Sequence, residues 1–178
     1  MYFSKKNMKV SNLPSSDFDH YLKNYLEKVP GLSLLESLDY SKNKVIQFYK
    51  ELPNDKEVYR YAENKWTPKE ILLHLIDTER IFCGRALRFA RNDKTVLPGY
   101  DHEDFVKESN ANDRMLENLL EEYIAQRKSS RLLFKSFSQP ILEKIGNANN
   151  LMVSVGAIGL VISGHELHHL QILNERYL

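Results

Sequence analysis

The sequence predicts an all-α fold, a four-helix bundle, on three observations. Four segments repeat their apolar residues with the helical period. Only seven Gly and six Pro occur in 178 residues, too few for a β-rich fold that must turn every 8 to 12 residues or so. A composition that is 42% hydrophobic and 28% charged suits one globular domain with a single core. Four amphipathic helices bury their apolar faces by packing against one another. The expectation is therefore one domain over residues 1–178, with residues 1–15 disordered.

A short extra N-terminal helix is expected over Ser16–Lys28, closed by Pro30-Gly31. The first long helix is expected over Ser33–Leu52, with Leu34, Leu35, Leu38, Val45, Ile46 and Tyr49 inward and Pro53-Asn54 as its stop. The second has the clearest start. Thr67 stands as N-cap, Pro68 at the first helical site and Glu70 at the third, which completes a capping box. Trp66 and Ile71 sit where a hydrophobic staple closes. At about 100° per residue, Ile71, His74, Leu75, Thr78, Phe82 and Arg85 share one arc, which should face the bundle. This helix should run to Phe89 or Arg91, before Asn92-Asp93 and Leu97-Pro98-Gly99.

The connection from about residue 91 to 112 is long for a bundle, and loops of that length usually serve function or cover something. No strand pattern is visible in it. The third helix should start near Asn112 or Asp113 and turn Leu116, Leu119, Leu120, Tyr123, Ile124 and Phe134 inward. The fourth should begin near Asn150 and run almost to the C-terminus.

Charge and cysteine content exclude several functions. Twenty-five Lys and Arg against 24 Asp and Glu leave a net charge of +1, so no overall field draws the chain to nucleic acid or an anionic membrane. The single cysteine, Cys83, cannot form an internal bridge, and no leader pattern is visible, which fits a cytoplasmic protein. The apolar run Leu151–Gly164 is shorter than the roughly 20 residues of a membrane span. It reads as the buried first half of the fourth helix.

Three of the six histidines fall together at Gly164-His165-Glu166-Leu167-His168-His169. Residues four apart lie one above the other on a helix, so His165 and His169 can present two imidazoles to one ion. His165 and His168 compete as a pair, but Ile172 and Leu173 flank the His165/His169 arc. His74 is the histidine on the inward arc of another long helix, the place from which bundles build core sites. Such a three-histidine site with open positions suits Zn²⁺ or Ni²⁺ and leaves room for water, a thiol or substrate.

The plainer readings are a pair of surface histidines and a hydrogen-bonded core His74. No HExxH is present, so a zincin protease is not expected. Thr78 stands one turn after His74 and could orient it, or simply bond its own helix. Asp77 and Glu79 are most simply solvated or paired with Arg80 and Lys69. Cys83, about 180° from His74 on the wheel, reads as a packed small hydrophobe. Arg85, Arg88 and Arg91 complement the helix C-terminal dipole, and Arg85 could meet an acidic substrate group. Tyr100, Asp101 and His102 lie in the long loop, within conceivable reach of the site.

These residues also carry a resemblance. WTPKEILLHLIDTERIFCGRALRFAR, then LPGYDHEDF, and the C-terminal GHELHHLQILNERY resemble the DinB-like superfamily of metal-binding four-helix bundles (DinB/YfiT-like metalloenzymes), from about Tyr21 onward. The resemblance implies an up-down-down-up bundle, frequently a homodimer, with a divalent metal held by His74, His165 and His169. Members include thiol S-transferases that use low-molecular-weight thiols such as bacillithiol, mycothiol-dependent isomerases, and relatives labelled metal-dependent hydrolases. The expectation is a metal-dependent enzyme that activates a thiol or water for a small-molecule substrate, with Thr78, Arg85, His168 and Tyr100 supporting the ligands from behind or touching the substrate. The alternatives are a non-catalytic metal-binding or stress-associated interaction protein on the same bundle, and a plain helical dimer with structural histidines.

Overall fold

The computed structural model describes residues 8–14, 18 and 20–178. Seven α-helices are present among them: α1 His20–Leu26, α2 Leu34–Glu51, α3 Pro68–Ala90, α4 His102–Glu108, α5 Leu116–Ser136, α6 Gln139–Leu142 and α7 Val155–Arg176. Four long ones make the bundle. α3 packs on α5 and α7, and α2 packs on α7 and α5. No helix among the described residues is long and apolar enough to cross a membrane.

The helix starts follow the local signals. Thr67 Oγ1 accepts from the Glu70 N–H at 3.1 Å, and Glu70 Oε2 accepts from the Thr67 N–H at 2.7 Å, the reciprocal capping box at the head of α3. At α2 the Ser33 N–H donates to Glu36 Oε2 at 2.9 Å. The expected inward residues of α2 are buried at Leu34, Leu38, Val45 and Tyr49 and half-buried at Leu35 and Ile46.

Four expectations are corrected. First, the fourth helix does not begin near Asn150: β1 Ile145–Ala148 and β2 Leu151–Ser154 form an antiparallel hairpin, so the fold is not purely helical. Asn149 and Asn150 both have positive φ, 55° and 60°, the pairing that a two-residue hairpin turn requires. Ser154 then caps α7 by accepting from the Ala157 N–H at 3.2 Å. Second, the 91–112 connection is not an open loop. It holds α4 and a 3-10 turn over Ala111–Asp113, and its Leu97 exchanges backbone hydrogen bonds with Asn147 and Asn149 of the hairpin. That 3-10 turn also delays the third long helix to Leu116.

Third, Ile124 is 43% exposed, and the inward position one turn beyond Tyr123 belongs to Arg127. Fourth, part of the first fifteen residues joins the fold. Met8 is buried, its carbonyl accepts from the Leu34 N–H at 2.8 Å, and its sulfur lies over Gly156. Residues 1–7 and 15, and the expected helix start at Ser16, lie outside the described residues.

The apolar core is interrupted at one level by a polar layer. On each long helix a buried polar residue separates the side chains of one apolar cluster from those of the other: Ser41 on α2, Glu79 on α3, Arg127 on α5 and Glu166 on α7. Near that level α1 meets α7 at close range, because a Cβ on Gly164 would run into the Tyr25 backbone carbonyl. Gly164→Ala should therefore cost about 1–3 kcal/mol through overpacking. Gly84, also helical, has open space around it, and Gly84→Ala should stabilise by up to about 1 kcal/mol. Urea unfolding of the two variants checks the opposite signs.

Candidate metal centre

The N-terminal half of α3 and the middle of α7 bring His74, His165 and His169 to one point. His165 Nε2 lies 3.1 Å from His74 Nε2 and 3.1 Å from His169 Nε2. The three ligand-capable nitrogens lie within 4.8 Å of one another. His168 is not part of this set. Its ring meets the edges of Tyr25 and His169 instead, at 5.5 and 5.3 Å between centroids.

Burial keeps the three imidazoles neutral. It pushes His74 down to about 3, with His102 adding to the effect, and holds His165 and His169 well below the usual histidine range, their histidine neighbours reinforcing it. Neutral rings leave nitrogen lone pairs free to bind an ion. The spacing fits one. At a bond length of about 2.0–2.1 Å, tetrahedral nitrogen ligands stand about 3.3–3.4 Å apart, close to the two separations of 3.1 Å. Three nitrogens turned on one another leave most pairs without a proton to share, an arrangement that a cation resolves.

The surroundings fix the rings. Trp66 stacks on His169 with 16° between planes and lies 4.8 Å from the His74 ring. Its indole N–H donates to Glu103 Oε2 at 2.9 Å, and its carbonyl accepts from the Tyr177 hydroxyl. Thr78 Oγ1 lies 3.5 Å from His74 Nδ1 and 2.6 Å from the Tyr100 hydroxyl. Thr78 and Tyr100 thus form a short hydroxyl line behind His74. His102 heads α4, its ring 6.1 Å from that of His74, while Asp101 caps α4 by accepting from the Glu103 and Asp104 N–H groups.

A cavity of about 320 Å³ opens over the three histidines. Thr78, Arg85, Tyr100, His102 and His168 all line it, as do Tyr25, Trp66 and Phe82. Sequence reasoning took Trp66 only as a staple. Its place just before the N-cap of the helix that carries His74 was the available signal.

Other candidates lie elsewhere. Asp77 pairs with Arg80 at 3.2 Å as expected, but Glu79 is neither solvated nor paired with Arg80 or Lys69. It is 2% exposed and holds Arg127 through two bonds of 2.8 Å. The helical period alone places it at the edge of the arc, and the partner that draws it inward is remote in sequence. Cys83 is buried against Ser130 Oγ at 3.1 Å, and burial pushes its thiol up to about 11, so it is packed and protonated rather than nucleophilic.

A helical bundle with three convergent neutral imidazoles beside a cavity defines a class, the bundle proteins with a histidine-built metal site. The family comparison is specific: the model of the DinB superfamily matches residues 37–173, and this chain belongs to that superfamily. No curated protein matches the chain. Among solved structures it is similar to YfiT from Bacillus subtilis, described as "a probable metal-dependent hydrolase with an unusual four-helix bundle topology". The two share 13% identity over 92% of each chain with a TM-score of 0.68, a likeness of fold.

Proposed function

We propose that this protein is a divalent-metal-dependent enzyme acting on a small molecule, with His74, His165 and His169 as the ligands of Zn²⁺ or Ni²⁺. The observation that carries the reading is the convergence of three buried neutral imidazoles on the wall of a cavity large enough for a small substrate. Bound there, a divalent ion supplies Lewis acidity that lowers the pKa of a thiol or a water molecule. The donor set of neutral nitrogens leaves the ion's charge uncompensated, which favours that chemistry.

The protein's own groups prepare the site. Trp66 holds the His74 and His169 rings by packing, and α4 anchors Trp66 through Glu103. Thr78, between His74 and Tyr100, restrains the His74 ring. The adjoining cavity favours this reading over a non-catalytic metal-binding protein, whose site would need no space beside it. Helix directions support the up-down-down-up order. Glu79 meets Arg127 and Cys83 meets Ser130, so contacts advance together along α3 and α5. Trp66 meets Tyr177 and His74 meets His165, so α3 and α7 run oppositely.

The test is turnover by zinc- or nickel-loaded protein with bacillithiol and monochlorobimane, and in parallel with p-nitrophenyl acetate for hydrolysis. One of the two reactions is expected, and His165→Ala should reduce it by more than about 100-fold, since even outer-shell replacements cost about 10–100-fold. Absence of both reactions, or activity that survives both chelation and His165→Ala, overturns the proposal.

A further inference from the structure

Among the described residues the cavity has one formally charged side chain at neutral pH, and no carboxylate among them pairs with it. Among the described residues that line it, none is Asp, Glu or Lys, and Arg85 is the only Arg. Two other arginines of α3 have carboxylate partners: Arg80 at Asp77 and Glu122, Arg88 at Asp93. Arg85 has none among the described residues. Its Nη2 donates to the Pro98 carbonyl at 2.9 Å and its guanidinium lies over the Phe82 ring at 5.8 Å. Of the five N–H donors of a guanidinium, the remainder meet no protein acceptor among the described residues.

That situation costs free energy. The guanidinium is half-buried and burial disfavours its charged form, which only the nearby Tyr100 hydroxyl opposes. An anion brought to it would recover the lost solvation through charge-assisted hydrogen bonds, and a planar carboxylate suits the guanidinium fork. The position also sets a length. Phe82 bridges the two groups: its ring centroid is 5.8 Å from the Arg85 guanidinium and 6.4 Å from the His165 ring, so a molecule that reaches both must extend past that ring. Phe82, Leu151, Val153, Ile158 and Val161 supply apolar wall, and the Thr78 and Tyr100 hydroxyls supply a polar strip beside it.

We propose that the cavity takes an elongated small molecule with an apolar body and one anionic end, a carboxylate, and that Arg85 receives that end while the rest extends towards the three histidines. This specificity rests on the enzymatic reading above, but its physical basis is separate from metal binding. Arg85 thereby acts in orientation as well as affinity, because fixing the remote end determines which atom of the substrate reaches the histidines.

The test uses two probes of one shape, phenylbutyrate and its amide. Binding is followed by fluorescence of Trp66, the only tryptophan of the chain, which lines the cavity. Wild-type protein, both zinc-loaded and chelator-treated, should bind the carboxylate about tenfold more tightly than the amide. Arg85→Gln keeps a donor for the Pro98 carbonyl but removes the charge, and should abolish the preference; Arg85→Lys should retain part of it. Raising salt from about 0.05 to about 0.5 M should shrink the preference in the wild type, a measurement that requires no variant to fold. A preference that persists in Arg85→Gln, that is insensitive to salt, or that occurs only with zinc bound overturns the proposal. So does a failure of the carboxylate to bind saturably. A wild-type protein that takes up neither added zinc nor added nickel yet keeps the preference would refute the metalloenzyme reading and leave the anion site standing.

Discussion

Arg127→Met is expected to cost about 3–5 kcal/mol of folding stability, the range for removing one partner from a buried ion pair. Against a total of about 5–15 kcal/mol for a domain, that is a large share. The side chain is 1% exposed. Its Nε and Nη2 donate to the two oxygens of Glu79 at 2.8 Å each, and Nη2 also reaches Glu166 Oε1 at 2.5 Å. Nη1 donates to the Leu38 carbonyl at 2.7 Å and to Ser41 Oγ at 3.1 Å. One guanidinium therefore ties α5 to the other three long helices. Its loss would strand two carboxylates in a protein interior, where burial already pushes Glu166 above the usual carboxylate range.

Arg127→Lys should rescue little, because an ammonium group cannot make the two-pronged bond to Glu79. Adding Glu79→Leu and Glu166→Leu to Arg127→Met should recover much of the loss, since the stranded charges are removed with their partner. Urea unfolding of these variants measures the effect. A loss below about 1 kcal/mol for Arg127→Met, the level of an exposed pair, would show that the layer contributes little.

The second large effect concerns the ion. Zinc at about 100 times its dissociation constant should stabilise the wild type by about 2.7 kcal/mol, because it binds the folded chain and not the unfolded one. His165→Ala should remove both this stabilisation and the stoichiometric metal. His165 is the ring within 3.1 Å of both others, so its loss breaks the set at its centre. His168→Ala, outside the set, should leave both nearly unchanged. Elemental analysis with thermal unfolding in added zinc checks the three proteins. Equal metal content in wild type and His165→Ala would place the ion elsewhere.

Much of the fold was legible locally. Thr67, Pro68 and Glu70 announce the head of α3, and the capping box is formed. The period of α2 identified its buried face, whereas on α3 Phe82 and Arg85 of the expected arc are half-buried and Glu79, Cys83, Ala86 and Phe89 outside it are buried. His74, His165 and His169 could be placed on facing arcs by counting residues, and their ring nitrogens do come together. The failures share a cause. Leu151–Ser154 is as apolar as the helix that follows, and period does not separate a buried strand from a buried helix over four residues. The pair Asn149 and Asn150 was the signal for the turn, but it acts only when β1 is present to pair.

The amino-acid sequence by itself determined the long helices α2 and α3, the cap of α3 and the arcs that carry the three histidines, because those depend on side chains within about four positions of one another. Tertiary structure alone decided that Glu79 and Arg127 are inside, that Trp66 walls the cavity, and that Arg85 faces it with no carboxylate partner among the described residues. An arginine or a glutamate bears the same local signature whether solvated or buried. Its place is settled by the free energy of desolvation against partners supplied from other helices, and those partners are 48 residues away for Glu79 and Arg127.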